Sequence, residues 1–268
     1  EAVAQENGSV MAALPADGVA VFPLDDDYTA VWQGLAANRK TVQFGWQSAG
    51  AAHEVLCTGA EWVEGAWQVQ ASTPWGTLQY RLAIAGRHNV KNSLAAAACA
   101  LAAGVSTQAV VQGLQAFVPV EGRCRALLIS HSGLHATLVD DTYNANPDSM
   151  RAAIQVLADL PGPRLLVLGD MGEVGTQGPA FHAEAGRFAH AQGITHVLAL
   201  GEMAVHAVRA CPGAEHFADV EALLVRARAL LPGVASVLVK GSRFMRMERV
   251  VEALAQPAPA TGGGHHAV

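Results

Sequence analysis

The 268-residue chain has no C-x-x-C pair, no phosphate loop of the form G-x-x-x-x-G-K-[ST], no signal peptide and no internal repeat. No apolar run approaches the roughly twenty residues that a membrane-spanning helix needs. The alanine-rich segment Leu94–Ala103 is too short for one and reads as a buried helix, so no membrane insertion is expected. The four cysteines, Cys57, Cys99, Cys124 and Cys211, lie far apart. They exclude a zinc site or a disulfide framework and read as buried thiols of a reducing cytoplasm. Charged residues are only 15% of the chain and the net charge is −6. A phosphate backbone requires a basic face, so no nucleic-acid partner is expected. Aromatics are scarce at 6%, but 51% hydrophobic content rules out disorder and suffices for real cores.

The length suggests two domains. Residues 2–13 read as a short helix, Gly18–Phe22 as a strand, Tyr28–Ala37 as a helix and Thr41–Gly45 as a strand. From His53 to Ala85 polar and apolar residues alternate, with turns at Glu64–Gly65 and Pro74–Gly76, which predicts an antiparallel β meander. Its Trp62, Trp67 and Trp75 read as packing residues. A long Ala/Leu helix to Ala103 ends at Gly104, and a second helix runs from Thr107 to Phe117. Pro and Gly in Val118–Arg123 mark the domain boundary, giving domains at 1–120 and 121–255 and a mobile tail at 256–268. Beyond it, strands ALLIS, HATLVDD, RLLVLGD, HVLALG and SVLVKG alternate with helices at Met150–Leu160, Pro179–Gln192, Met203–Ala210, Val220–Leu231 and Met245–Leu254. That alternation predicts an α/β fold with a mostly parallel, doubly wound sheet. The chain lacks an initiating Met and opens inside a helix, so it reads as a fragment.

The stretch around which the chain is organised is VDDTYNANPDSM, Val139–Met150. It reads as a strand running into a polar loop that opens a helix, capped by Ser149 or Asp148 with Pro147 at its entrance. A plain turn uses two or three such residues, not six beside a Tyr. The carboxyl ends of strands in open α/β sheets are where ligands sit. Other segments carry polar groups to comparable places. GRHNVKN (Gly86–Asn92) either caps a helix through Asn89 or offers side chains to a planar ligand edge. Arg123 is either a solvated linker residue or a guanidinium suited to bidentate phosphate binding. LLVLGDMGEVG (165–175) has the wrong spacing for a dinucleotide turn, yet it puts Asp170 and Glu173 at a strand end, while His182 and Glu184 read as structural. Lys240, Ser242 and Arg243 form another polar group at a strand end, suited to a carboxylate or phosphate, or simply a capped basic helix. The tail histidines provide no evidence of a metal site.

Together, GRHNVKNSLAAAA, VEGR, DDTYNANPDSM, VLGDMGEVG and VKGSRFMRMERVV resemble the Mur ligase family in order and spacing, over the chain up to about Leu254. The DDTYNANPDSM and LGDMGE forms are similar to the branch that joins D-alanyl-D-alanine to UDP-N-acetylmuramoyl-tripeptide. The resemblance implies the later part of a P-loop-type central ATPase domain, containing the meander, followed by a Rossmann-like C-terminal domain. It implies an ATP-dependent amide ligase of cytoplasmic peptidoglycan precursor synthesis, monomeric, working through an acyl phosphate with Mg²⁺.

By position, the resemblance puts His88, Asn89 and Asn92 near adenine, Arg123 at the γ-phosphate, Asp141 on the ribose and Tyr143 beside the nucleotide. Asn144, Asn146, Lys240, Ser242 and Arg243 would lie toward the incoming dipeptide or acyl phosphate, with Arg123, Asp141 and Lys240 as the catalytic set. The family's phosphate-loop and metal-binding residues would lie upstream of Glu1, and no metal ligand is assigned within the chain. Its carbamylated lysine is replaced by Asn7 in Glu6-Asn7-Gly8-Ser9, and its N-x-D-D turn becomes Pro23-Leu24-Asp25-Asp26. The chain alone is therefore expected not to turn over ATP. Alternatives are a folylpolyglutamate- or cyanophycin-type ligase of the same superfamily, or a nucleotide-binding module without catalysis.

Overall fold

The computed structural model describes residues 2–46, 54–131 and 133–256. His53 and the expected mobile tail from 257 onward lie outside them. The chain forms two compact units, Glu1–Val118 and Pro119–Val268, dividing inside the Pro- and Gly-bearing stretch Val118–Arg123.

In the first unit, α1 (Ala2–Ala13), β1 (Val19–Pro23), α2 (Thr29–Ala36) and β2 (Lys40–Trp46) precede the meander β3 (Glu54–Val63), β4 (Ala66–Thr73) and β5 (Gly76–Leu82). Among the described residues the sheet order is β1-β2-β3-β4-β5. The β1–β2 and β2–β3 pairs are parallel, and β3–β4 and β4–β5 are antiparallel. Period-two alternation buries Trp67, Val69 and Ala71 of β4 and Leu78, Tyr80 and Leu82 of β5 on one face. Helix α3 (Arg87–Ala102) lays Val90, Leu94, Ala97, Ala98 and Leu101 in the same cluster. This is the i, i+4, i+7, i+8 stripe of an amphipathic helix. Helix α4 (Thr107–Gln115), N-capped by the Ser106 hydroxyl, adds Val110. Burying a large apolar side chain such as Leu78 or Leu94 contributes roughly 1.5–3 kcal/mol. Trp62 and Trp67 pack edge to face at 5.3 Å, whereas Trp75 stands exposed. Cys57 and Cys211 are buried as expected, but Cys99 is exposed, because α3 turns that position outward.

The second unit contains β6 (Arg125–His131), β7 (Leu134–Asp141), α5 (Pro147–Ala158), β8 (Arg164–Gly169), α6 (Gly178–Ala191), β9 (His196–Leu200), α7 (Val205–Arg209), β10 (Glu215–Phe217), α8 (Val220–Leu230), β11 (Ser236–Lys240) and α9 (Glu248–Ala255). Among the described residues its sheet runs β10-β9-β8-β11-β7-β6. Every pairing is parallel except the β6–β7 hairpin. Strand β11 is buried along its whole length and β8 almost so. Strands covered on both faces read as continuous apolar runs, as these do. Leu165, Val167, Val237 and Val239 point to the face covered by Leu223 and Ala227 of α8 and Val250 and Leu254 of α9. Helix α5 packs on β8 and β11, with α6 beside it.

Local geometry departs from the sequence reading at the starts of two helices and in one additional strand. Helix α5 is capped by Asn146, not by Asp148 or Ser149: Asn146 is extended, its Oδ1 accepts from the Ser149 amide, and the Ser149 hydroxyl accepts from the Asn146 amide. Helix α9 begins at Glu248 instead of Met245, because Arg243–Met245 forms a 3-10 turn ending in a left-handed Arg246. The three-residue β10 is too short to show a period and was not expected.

Candidate functional site

The carboxyl ends of β7, β8 and β11 come together in the second unit. Strand β11 lies between the other two, in register Lys240 with Asp141 and Lys240 with Leu168. Lys240 as a residue is only 2% exposed. Its ammonium donates to Asp141 Oδ2 at 2.7 Å, to the Asn144 carbonyl at 2.9 Å and to the Asp141 carbonyl at 3.4 Å. All three ammonium protons are therefore engaged. Lys240 holds the Asp141–Asn144 turn in place and does not project into open space. Asp141 Oδ1 also accepts from the Cys124 amide at 3.3 Å.

The Asp141 contact ties β7 to the segment carrying Arg123. The neighbouring Asp140, buried, strengthens the tie: its Oδ2 accepts from the Gly122 amide at 3.0 Å and its Oδ1 from the Thr142 hydroxyl at 2.6 Å. The Gly122 carbonyl in turn accepts from the Tyr143 amide at 3.0 Å. Gly122 has φ +75°, and a Cβ there would lie 2.8 Å from that amide nitrogen, so only glycine fits. The result is an exposed Tyr143 ring with the Arg123 guanidinium 4.1 Å from its centre and that of Arg243 at 6.0 Å. Stacking of this kind fixes a guanidinium while leaving its N–H groups free. Burial, followed by the Asp141 carboxylate, pushes the Cys124 thiol up to about 12.

Ser242, at the end of β11, is also fully engaged. Its hydroxyl donates to the Ala145 carbonyl at 2.9 Å and accepts from the Gly172 amide at 2.7 Å, linking three strand ends. Asn146 caps α5, and Asn144 Oδ1 accepts from the Ala145 amide at 2.9 Å. Two pockets flank this floor. One of about 280 Å³ is bordered by Glu121, Arg125, Tyr143, Arg243, Glu248 and Glu252, among others. The other, of about 360 Å³, is lined by Asn144, Gly172, Glu173, Ser242, Arg243 and Phe244. Asp170 faces neither: its carboxylate accepts from the Met203 and Ala204 amides at 3.2 and 2.7 Å. His182, buried, accepts from the Met171 amide at Nε2 and donates from Nδ1 to the Gly178 carbonyl, in agreement with a structural role. Glu184 pairs with Arg151 on the surface.

The first unit carries the other expected residues. Asn89 Nδ2 donates to the Ala85 carbonyl at 2.7 Å, and Asn92 Nδ2 to Asn89 Oδ1 at 3.3 Å. Both asparagines line a mainly apolar pocket of about 180 Å³ with Leu82, Ile84, Ser93, Ala96, Leu114 and Phe117. His88 is exposed beside them at the start of α3. Asp25 pairs with Lys91 at 2.5 Å. Among the described residues no group of three or more His, Cys, Asp or Glu is placed to hold a metal ion.

The profile of the Mur ligase middle domain matches residues 1–100, and that of the Mur ligase glutamate ligase domain matches residues 122–243. This chain belongs to the Mur ligase family. The UDP-N-acetylmuramoyl-tripeptide–D-alanyl-D-alanine ligase of Escherichia coli K12 is 38% identical over 255 residues, covering 94% of this chain and 55% of that protein. A crystal structure of MurF from Acinetobacter baumannii is similar at 33% identity and TM-score 0.74, covering 94% of this chain and 55% of its own. MurF from Thermotoga maritima in complex with ADP shares the fold at TM-score 0.70 and 22% identity, covering 92% of this chain and 55% of its own. The chain thus spans about half the length of the relatives it matches.

Within this Mur ligase chain the structure brings Arg123, Asp141, Tyr143, Asn144, Lys240, Ser242 and Arg243 to one set of strand ends, and His88, Asn89 and Asn92 to one helix start. Sequence reasoning missed the supporting residues Asp140 and Cys124 and the pocket residue Phe244. Asp140 was legible as the first of two adjacent acids. Alternation along β7 sends it to the opposite face from Asp141.

Proposed function

We propose that the protein acts as an ATP-dependent ligase adding D-alanyl-D-alanine to UDP-N-acetylmuramoyl-tripeptide in cytoplasmic peptidoglycan precursor synthesis, as a monomer. The observation that carries this reading is the stacked Arg123–Tyr143 pair anchored beside Asp141, in a chain 38% identical to such a ligase over nearly its whole length. The tripeptide carboxylate attacks the γ-phosphorus of ATP, and ADP leaves. The dipeptide nitrogen then attacks the acyl phosphate, a C–N bond forms, phosphate departs and the nitrogen releases a proton. Such chemistry depends on positioning and charge neutralisation. On this reading Arg123 offers its free guanidinium N–H groups to the transferring phosphate. Asp141 receives the ribose hydroxyls on its remaining lone pairs, and Tyr143 borders the nucleotide. The family resemblance assigns His88, Asn89 and Asn92 to the adenine, and the two asparagines line an apolar pocket of the first unit suited to a planar base. Asn144 and Arg243 face the dipeptide side, while Lys240, Ser242 and Asn146 hold the floor. The residues described do not build a Mg²⁺ site by themselves: Asn7 lacks an amine, and Asp25 is held by Lys91.

The test is ADP release with both substrates, using this chain alone and a chimera preceded by the N-terminal portion of the Escherichia coli relative. Turnover by the chimera, lowered about 10²-fold or more by Arg123→Ala through loss of charge stabilisation, is the expected result. A folded chimera that is inactive, or one indifferent to Arg123→Ala, would refute the assignment.

A further inference from the structure

Alternation along β7 sends Asp140 and Asp141 to opposite faces of the sheet. The pocket of about 280 Å³ lies on the Asp140 side, where α9 packs across β6 and β7. Asp141, Asn144, Lys240 and Ser242 are not among its lining residues, and it shares only Tyr143 and Arg243 with the residues assigned to the ligase site. Leu127, Val251 and Ala255 give it an apolar wall. Its charges do not balance. The carboxylates of Glu121, Asp140, Glu248 and Glu252 line it against the guanidiniums of Arg125 and Arg243. Glu121 and Arg125 neutralise each other at 3.1 Å. Asp140 is met by the Gly122 amide and the Thr142 hydroxyl.

Glu248 and Glu252 remain. They stand one turn apart on α9, a spacing at which like charges repel. Among the described residues neither forms an ion pair. The Arg243 guanidinium is drawn to the Tyr143 ring instead, 6.0 Å from its centre. Glu248 is half-buried, and its Oε2 is shielded from solvent and meets no hydrogen-bond donor. A carboxylate withdrawn from water in this way is costly unless a cation faces it. That orphaned oxygen separates the cavity from an ordinary solvated acidic surface. Among the described residues no group is placed to hold a metal ion. A cation that suits the place carries its charge on N–H donors and has an apolar body.

We propose that this cavity binds a small primary alkylammonium, its head between the Glu248 and Glu252 carboxylates and its alkyl body on Leu127 and Val251. The head has three protons to donate, enough for both acids. A cavity just below the range of about 300–1,000 Å³ usual for small-molecule pockets fits a short amine and not a large ligand. The inference stands apart from the ligase reading and needs no nucleotide.

The experiment is a titration of the ¹⁵N-labelled chain, at constant ionic strength, with n-butylammonium chloride, n-butanol, potassium chloride and magnesium chloride. Butylammonium should give saturable shifts at the amides of α9 and of residues 121–127. Butanol, which keeps the alkyl body and lacks the charge, should bind about tenfold more weakly or less, the usual worth of a charged hydrogen bond. Glu248→Gln should weaken butylammonium about tenfold, Glu252→Gln several-fold, and Glu61→Gln in the first unit not at all. Arg243→Gln, which removes a competing positive charge, should tighten it. Saturating butylammonium should raise the thermal midpoint of the unaltered chain and not that of the Glu248→Gln, Glu252→Gln double variant. Glu252 is exposed, so its single variant reports on binding even if Glu248→Gln folds poorly. Equal shifts with butanol, equal shifts with magnesium chloride, undiminished binding by Glu252→Gln, or no saturable shift at all, as for a cavity that holds only water, would each overturn the proposal.

Discussion

At the scale of single residues the site is defined by which side chains are already engaged. Lys240 and Ser242 looked from the sequence like exposed ligand groups, because a cation and a hydroxyl after an apolar strand suit an anion. Burial reverses that expectation for Lys240: a nearly dry ammonium must have all its protons met, and Asp141 and Asn144 meet them. Replacing one member of a buried pair leaves the other charge uncompensated, at a cost of about 3–5 kcal/mol. Lys240→Met should therefore lower urea-unfolding stability by about that much, and Lys240→Met combined with Asp141→Leu by clearly less than the sum of the two single changes. Additive losses would mean the two charges are not coupled. Arg123 and Tyr143 were legible as separate candidates from VEGR and DDTYNANPDSM. Their stacking was not, since it depends on Gly122 being drawn onto the Tyr143 amide and onto Asp140, 18 residues further along the chain.

Among elements, the helices and strands were largely readable from period and turn chemistry. The meander β3–β5 and the strands β7, β8, β9 and β11 fall where alternation or apolar runs put them. Ends were less readable, because caps such as Asn146 and the 3-10 turn at Arg243–Met245 are chosen by local hydrogen bonds that several neighbours could have made. Helix packing contains a further constraint that no period reveals. Gly186 on α6 faces the carbonyl of Ala207 on α7 so closely that any Cβ would collide with it. Gly186→Ala should cost about 1–3 kcal/mol by overpacking and lower the melting temperature. The same change at Gly113 on α4, which has nothing within 4 Å, should not destabilise the protein by contact. Equal midpoints for the two variants would show that α6 and α7 can move apart freely.

For the molecule as a whole, each unit contains a proton that the folded state retains well above its ordinary range. Burial pushes the Tyr80 phenol up to about 12 in the first, the Ser93 hydroxyl lowering it only in part. In the second, the Cys124 thiol is also pushed up to about 12. Their ordinary values are 10.0 and 9.0. Between those and about 12 the unfolded chain ionises while the folded chain does not. Stability is therefore complete below pH 9 and declines as pH rises toward 12. Denaturant midpoints measured from pH 8 to 11 should fall, and Tyr80→Phe should flatten the part of that fall due to the phenol. A level profile would contradict the burial assigned to these groups.

Strand order in the second unit has a consequence for biosynthesis. The sheet reads β8-β11-β7 at its centre, so the strand that joins its two halves follows both of them in the chain and is the last strand among the described residues. Until Ser236–Lys240 has emerged from the ribosome, β7 and β8 each present an open edge, and the Asp141 carboxylate waits without its ammonium. The nascent polypeptide must therefore shield two sticky borders from the completion of β8 until β11 follows, and the pocket floor is assembled only when β11 slides between them.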